Sequence, residues 1–467
     1  MIYKTQPMKQ QRMAVHACYG KPEFALFMDP GLGKTKVIID EAFNLKLDRV
    51  LVICPKSIKT VWVDEIITHC PGYTIWMSGK KGFQKTVQHG NGPTFYIINI
   101  DIIYKEKNNL LGLAEMVVVD ESTTIKKCTS KRTQAAIDIG LMATYRRILT
   151  GTPIANTPLD MYGQMAFLSY NILNGWSYET FERHFAVMGG YKDRQVVGYR
   201  NLQEMVELVA PHCFRATKQE YLPELPPRTT QIREIELSKA SWTAYKAIVE
   251  EVVIELGENP MTVDMAIKKV TKLRQLTGGW MLGDDGKPVM VGHEKLEELL
   301  SLLDECQGQK VLIWCQFVHE IEQLCRYIPG AKAYYGKTSE KEREAARKDF
   351  DTLILQNDTG SMGLTLNEAT VSIFYSNPSY PLPKEQARDR NHRKGQGQPV
   401  SEYELIVTGS IDESIFNSII NRKSLADAMV NAVNDPSQFR EVLLPKRRVS
   451  WKAEDKTSNI VLPAGSH

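Results

Sequence analysis

The sequence predicts an α/β protein of two parallel-sheet lobes with helical protrusions inserted. Three observations carry that expectation. From Phe24 to Leu149, apolar runs of strand length alternate with helical stretches, which is the pattern of a parallel sheet whose ligand edge lies at the strand C-termini. From Thr157 to about Leu225 the alternation gives way to short helical segments anchored by Tyr162, Phe167, Tyr170, Trp176, Phe181 and Phe185. It then resumes: Leu296, Leu299, Leu300 and Leu303 form an amphipathic stripe that leads into the strand-like KVLIW at Lys310 to Trp314.

Composition narrows the class. A chain of 467 residues has room for two or three domains, each with its own core. With 43% hydrophobic and 24% charged residues it reads as globular rather than disordered. Net charge is only +3, so a polyanion would have to be met by local clusters of Lys and Arg. Eight cysteines without a CxxC pair argue against a zinc ribbon and for reduced thiols in the cytoplasm. The polar start, MIYKTQPMKQQ, reads as no export signal, and no apolar run approaches the roughly 18 residues of a membrane span, so no membrane association is expected.

Taken in order, Phe24 to Met28 is a buried strand, 29–33 a turn, and Lys36 to Phe43 helical. Strand, glycine loop and helix form a cradle for a nucleoside triphosphate. The backbone N–H groups of Gly31, Leu32 and Gly33 approach phosphate oxygens, Lys34 reaches the β and γ phosphates, and the Thr35 hydroxyl ligates magnesium. Met28 stands where the full pattern has a first glycine. RVLVIC (Arg49 to Cys54) is a second strand, ending at Pro55-Lys56-Ser57 before a helix from Thr60 to His69. Lys56 and Ser57 suit either a phosphate backbone or a solvated turn. Phe95 to Ile100 supplies another strand.

Met116 to Val119 runs into Asp120-Glu121. Two carboxylates at the end of a buried strand are costly without a task, and a magnesium ion plus an attacking water provide one. Asp120 would hold the metal and Glu121 would polarise the water. Lys126 and Lys127 follow, as a solvated face or a nucleic-acid contact. A strand at Arg147 to Leu149 then leads into Thr150-Gly151-Thr152, small residues suited to sensing a γ phosphate. MGGYKDRQVVGYRN reads as a hairpin carrying Lys192, Arg194 and Arg200.

Leu225-Pro226-Pro227-Arg228 marks a linker. Beyond it Ser238 is a good N-cap, and Trp242, Tyr245, Ile248, Val249, Val252 and Val253 recur at helical spacing as core residues. TGSMGLTL (359–366) is a glycine-containing loop after the strand Leu353 to Gln356. In QARDRNHRKGQ, Arg390 and Arg393 are three apart, which on a helix would place both on one face as candidate arginine fingers.

These segments resemble a known family. GLGKT, DEST followed by IKK, and LTGTPIAN resemble motifs I, II and III of superfamily-two helicases, in particular the Swi/Snf-type ATPases. PMKQQ resembles that family's adenine-reading glutamine motif, with Gln11 the better candidate over Gln10. CPKSIKTVWVDE resembles motif Ia, KVLIWCQF motif IV, TGSMGLTL motif V, and QARDRNHRKGQ the Swi/Snf form of motif VI, with its closing GQ. DEST departs from the usual DEAH or DEGH, which leaves open what the final His contributes.

The resemblance spans about residues 7 to 430. It implies RecA-like lobes at 1–156 and 293–430, a helical protrusion with the end of the first lobe at 157–225, a linker with a second protrusion at 226–292, and a tail at 431–467. It implies ATP and Mg2+ as ligands, with Lys34, Asp120, Glu121, Arg390 and Arg393 catalytic, and Gln11, Gly31, Leu32, Gly33, Lys34, Thr35 and Gly363 among the nucleotide contacts. Nucleic-acid candidates are Lys56, Ser57, Lys126, Lys192, Arg194, Gln316 and Ser361. The implied activity is an ATP-dependent DNA translocase or helicase on duplex or branched DNA, working as a monomer in the cytoplasm (the host's, for a phage-encoded chain). Fork remodelling, branch migration or unwinding in replication, recombination or repair are the tasks that would fit. An RNA-directed or protein-displacing remodeller would share the motor, and a non-hydrolysing nucleotide-switched scaffold is disfavoured by Glu121, Arg390 and Arg393.

Overall fold

A computed structural model of the chain describes residues 1–79, 82–189, 195–258, 263–283, 286–360, 364–421 and 441–445. The described residues fall into two compact units, one ending at Pro223 and the next beginning at Glu224. Among them no helix is long and apolar enough to cross a membrane. All eight cysteines are free thiols.

The first unit holds an eight-stranded sheet. Its strands are β1 (Glu23–Met28), β2 (Arg49–Cys54), β3 (Tyr73–Gly79), β4 (Gly82–His89), β5 (Thr94–Asn99), β6 (Met116–Asp120) and β7 (Tyr145–Thr150), with β8 (Ala186–Gly189) and β9 (Gln195–Tyr199) forming a separate hairpin and β10 (Cys213–Ala216) returning to the sheet. The order is β10-β1-β7-β6-β2-β5-β3-β4. Every neighbouring pair is parallel except β3 with β4. The strands read as near-continuous apolar runs because both faces are covered, as parallel sheets require. Leu51, Ile53, Val117 and Val119 pack on one face with Phe167, Phe181 and Phe185 of the protrusion. Tyr170, expected among the aromatic anchors, is exposed instead: it opens a short 3-10 turn at the surface.

One ion pair pins this unit together. Arg147, on β7, is fully buried and pairs with Glu41 of the helix Lys34–Asn44, Nη2 donating to Oε1 at 2.6 Å and Nε to Oε2 at 3.0 Å. Its remaining N–H groups donate to the carbonyls of Cys18, Lys21, Pro22 and Arg146. The guanidinium therefore ties the helix Lys9–Cys18 and the loop-bearing helix to one strand. Arg147→Met would leave the Glu41 carboxylate buried without its partner, and is expected to cost about 3–5 kcal/mol in chemical unfolding.

The second unit holds a six-stranded, wholly parallel sheet of order β11-β18-β17-β14-β16-β15. These strands are β11 (Arg228–Ile235), β14 (Val311–Cys315), β15 (Lys332–Tyr334), β16 (Thr352–Gln356), β17 (Val371–Phe374) and β18 (Val400–Val407). A small hairpin of β12 (Trp280–Leu282) and β13 (Pro288–Met290) stands apart. The chain joins the second sheet as soon as the proline-rich segment ends, because β11 pairs with β18 along its whole length.

The helix Val318–Tyr327 buries Glu320 completely. Its Oε2 accepts from Phe317 N at 3.1 Å and Ser376 Oγ at 2.5 Å, while Oε1 has no hydrogen-bond partner among the described residues. Burial pushes this carboxyl up to about 7. The folded protein keeps the proton to higher pH than the unfolded chain, whose ordinary value is 4.5. The group's contribution is therefore complete below that value and is lost as pH rises through about 7. Glu320→Gln cannot ionise, so relative to wild type it should gain on the order of 2–3 kcal/mol between about pH 5 and about pH 8 in urea titrations. Parallel pH profiles for the two proteins would exclude this.

Candidate nucleotide site

The loop 29–33 leaves the C-terminal end of β1 and enters the helix Lys34–Asn44. Gly31 (φ 85°) and Gly33 (φ 81°) both take left-handed backbone that glycine adopts without strain. A Cβ on Gly33 would stand 1.9 Å from Gln11 Nε2, so a side chain there would displace that amide from the loop. Gln11 Nε2 donates to Gly33 O at 3.4 Å, and its Oε1 accepts from Met8 N at 2.8 Å. Gln10 instead turns to Met8 Sδ, so Gln11 is the glutamine carried to the loop. Leu32 is buried and its N–H closes the turn on Asp29 O at 3.2 Å. Thr35 lies in the first turn of the helix. Lys34 folds back along the loop, Nζ donating to Met28 O at 2.7 Å.

Parallel pairing brings the other motifs to the same edge. Phe27 pairs with Thr150 and Asp120 with Leu149, so β1, β6 and β7 end at one level. A Cβ on Gly151 would meet Pro30 Cδ at 2.6 Å, which places the loop after β7 directly against the phosphate loop. Asp120 is held on both oxygens: Trp62 Nε1 donates to Oδ2 at 2.8 Å and Glu121 N to Oδ1 at 2.9 Å. Burial pushes its carboxyl up, opposed by the Lys34 charge and these two N–H donors. Glu121 has left-handed backbone (φ 51°, ψ 58°) and its carbonyl accepts from Thr124 N and Oγ1. The Thr35 hydroxyl and Asp120 carboxylate are hard oxygen donors, the set that suits magnesium held mainly by substrate phosphates and water.

Two positioning contacts have no signal in the sequence. Trp62, in the helix Lys59–His69, orients Asp120 from 58 residues away. Lys218 N donates to Asp29 Oδ2 at 2.8 Å, so the chain returning from the protrusion braces the phosphate loop.

In the second unit, Arg390 Nε donates to Gln386 O at 2.8 Å and Nη1 to Leu364 O at 3.0 Å. Arg393 Nη1 reaches Leu364 O at 3.4 Å and Thr365 Oγ1 at 2.9 Å. The two arginines do converge, but not on a helical face. The helix Pro381–Arg388 ends before either of them, because Gln396 Nε2 takes the carbonyls of Asn367, Ala369 and Asn391 and draws the chain into turns. Arg388 is engaged with Glu402, its Nε donating to both carboxylate oxygens at 2.9 Å. Against the upward push of burial, Arg388 and Lys384 hold Glu402 down at about 2, so Arg388 serves the fold.

Of the nucleic-acid candidates, Lys56 is exposed and Ser57 half-buried in the 3-10 turn Lys56–Ile58 after β2. Lys126 Nζ meets Asp160 Oδ2 at 3.2 Å. Gln316 follows β14, its N–H on Ser376 Oγ at 2.7 Å and its Oε1 accepting from Asn357 Nδ2 at 3.3 Å. Lys192, Arg194, Ser361 and Gly363 lie outside the described residues.

The SNF2-related domain family matches residues 12–278. The chain belongs to that family. The helicase conserved C-terminal domain matches residues 294–395, completing the two halves of a Swi/Snf-type member of superfamily two. Among curated relatives, this SNF2-family chain is 26% identical over 432 residues to Chromodomain-helicase-DNA-binding protein 1-like of Danio rerio, covering 86% of the chain and 41% of that protein. It is 26% identical over 456 residues to Probable ATP-dependent DNA helicase CHR12 of Arabidopsis thaliana, covering 88% and 41%. The chain spans less than half the length of the curated relatives it matches. Among solved structures it is similar to the Sulfolobus solfataricus SWI2/SNF2 ATPase core in complex with dsDNA, at 22% identity and a TM-score of 0.43, covering 95% of this chain and 98% of that one.

Proposed function

We propose that this SNF2-family chain hydrolyses ATP and couples hydrolysis to movement on duplex or branched DNA. The observation that carries the reading is the meeting of the phosphate loop, the Asp120-Glu121 strand end and the loop after β7 at one sheet edge, with Gly151 against Pro30. In this reading the loop N–H groups and Lys34 bind the phosphates, Thr35 and Asp120 hold magnesium, and Glu121 orients and polarises the attacking water. Magnesium, when bound, neutralises charge on the phosphate oxygens. Arg390 and Arg393 serve as the arginine fingers that meet charge developing on the transferred phosphoryl group. Gln11 reads the adenine edge by exchanging its backbone partners for the base. Lys56, Ser57, Lys126 and Gln316 contact DNA phosphates, so binding is weakly sequence-specific and weakens with salt. The chain works as a monomer, and its finer task is fork remodelling or branch migration.

Steady-state ATP hydrolysis tests this, measured alone and with single-stranded DNA, linear duplex, a four-way junction or RNA, with Lys34→Ala as the blank. Stimulation by duplex or junction that vanishes in the blank is the expected result, and a preference for the junction supports branch migration. Stimulation by RNA alone would overturn the substrate, and no stimulation at all would overturn the motor.

A further inference from the structure

The helix Met161–Leu168 is buried along its length, and within it Gln164 is fully shielded from solvent. A side-chain amide in such a place costs several kcal/mol unless it is paired. Oε1 accepts the Ser122 hydroxyl at 2.7 Å, and Nε2 donates to Pro153 O at 2.7 Å and Asp160 O at 3.0 Å. The two ends of one amide thus hold two separate motif segments. Ser122, itself fully buried, follows Glu121, whose left-handed backbone costs about 1–2 kcal/mol and persists only where its surroundings enforce it. The helix also rides directly on the turn Ser122–Ile125, since a Cβ on Gly163 would stand 2.3 Å from Ile125 O and 2.7 Å from Lys126 O. On the other side, Pro153 belongs to the loop after β7. Asp160 Oδ2 accepts from Asn156 N at 2.7 Å in that loop and from Lys126 Nζ at 3.2 Å.

We infer that Gln164 is a positioning residue for hydrolysis: with Ser122 and Pro153 it clamps the Glu121 turn to the loop after β7. Displacing that loop, or drawing Lys126 from Asp160 onto a phosphate, then re-aims the Glu121 carboxylate. A misplacement of about 1 Å at a reacting group is worth up to ~10²-fold in rate, so a hydrogen-bonded link of this kind is enough to gate turnover. The inference rests on the hydrolase reading above.

The test uses Ser122→Ala, Gln164→Met and the double variant in the full chain. Each single variant is expected to lower DNA-stimulated kcat about tenfold or more, with the KM for ATP within about twofold of wild type, because Lys34 and the phosphate loop are untouched. In the double variant no buried Ser122 hydroxyl remains to be left without its acceptor, so thermal stability should recover relative to Gln164→Met while kcat stays low. A double variant that regains both stability and turnover would mean that the pair only packs, and would overturn the inference. If Gln164→Met does not fold, Ser122→Ala decides by the same split between KM and kcat. Wild type that is stimulated by DNA alongside equally stimulated variants sinks the inference and leaves the hydrolase reading standing. Wild type without nucleic-acid-stimulated hydrolysis sinks both.

Discussion

Glu121→Gln should lower ATP hydrolysis by ~10² to 10⁴-fold while ATP remains bound. The amide keeps the size of the side chain and can still orient a water, but it cannot take up a proton. The backbone of the turn is held independently of the side-chain end, because Thr124 grips the Glu121 carbonyl and the Glu121 N–H holds Asp120. Nucleotide affinity, measured with a fluorescent analogue, should therefore stay near wild type while multiple-turnover hydrolysis collapses. A variant that hydrolyses within about threefold of wild type would remove Glu121 from the chemistry. One that stops hydrolysing yet retains its biological activity would favour the nucleotide-switched scaffold.

Arg393→Ala is expected to cost ~10³-fold or more in kcat with little loss of stability. Arg393 is half-buried, and its contacts to Leu364 O and Thr365 Oγ1 lie near the surface. Arg393→Lys should recover little, since a point-charge ammonium does not reproduce the planar fork of donors. Arg390 behaves differently. It is buried and bonded to Gln386 O and Leu364 O, so Arg390→Ala should lower both kcat and the thermal midpoint. Full activity in Arg393→Ala would refute the finger assignment.

The sequence made the strands and loops of the nucleotide site legible because each is written locally. Val50 to Cys54 is continuous apolar sequence, GLGKT carries the glycines that its backbone needs, and the acidic pair sits at the end of an apolar run. What it concealed depends on long-range pairing. Nothing near Trp62 announces that its indole orients Asp120, and nothing near Lys218 places its amide on Asp29. Gln164 did leave a trace, as a lone amide in the apolar run MYGQMAFL, although its partners could not be read from it. Arg390 and Arg393 both donate to Leu364 O, but not from the helical face that their spacing predicts, since Gln396 gathers nearby carbonyls and the helix ends at Arg388.

The return of β10 to flank β1 bears on how the chain is made. During synthesis β1 emerges early, and the strand that covers its open side follows only after the whole protrusion has been translated. Until Cys213–Ala216 arrives, the strand feeding the phosphate loop presents an unpaired backbone edge, the kind of surface that templates association with other chains. A fragment cut at Asn156, where the motifs of the first lobe end, would keep every nucleotide-binding side chain of that lobe and still carry this exposed edge permanently, so it should precipitate where a fragment reaching Pro223 stays in solution.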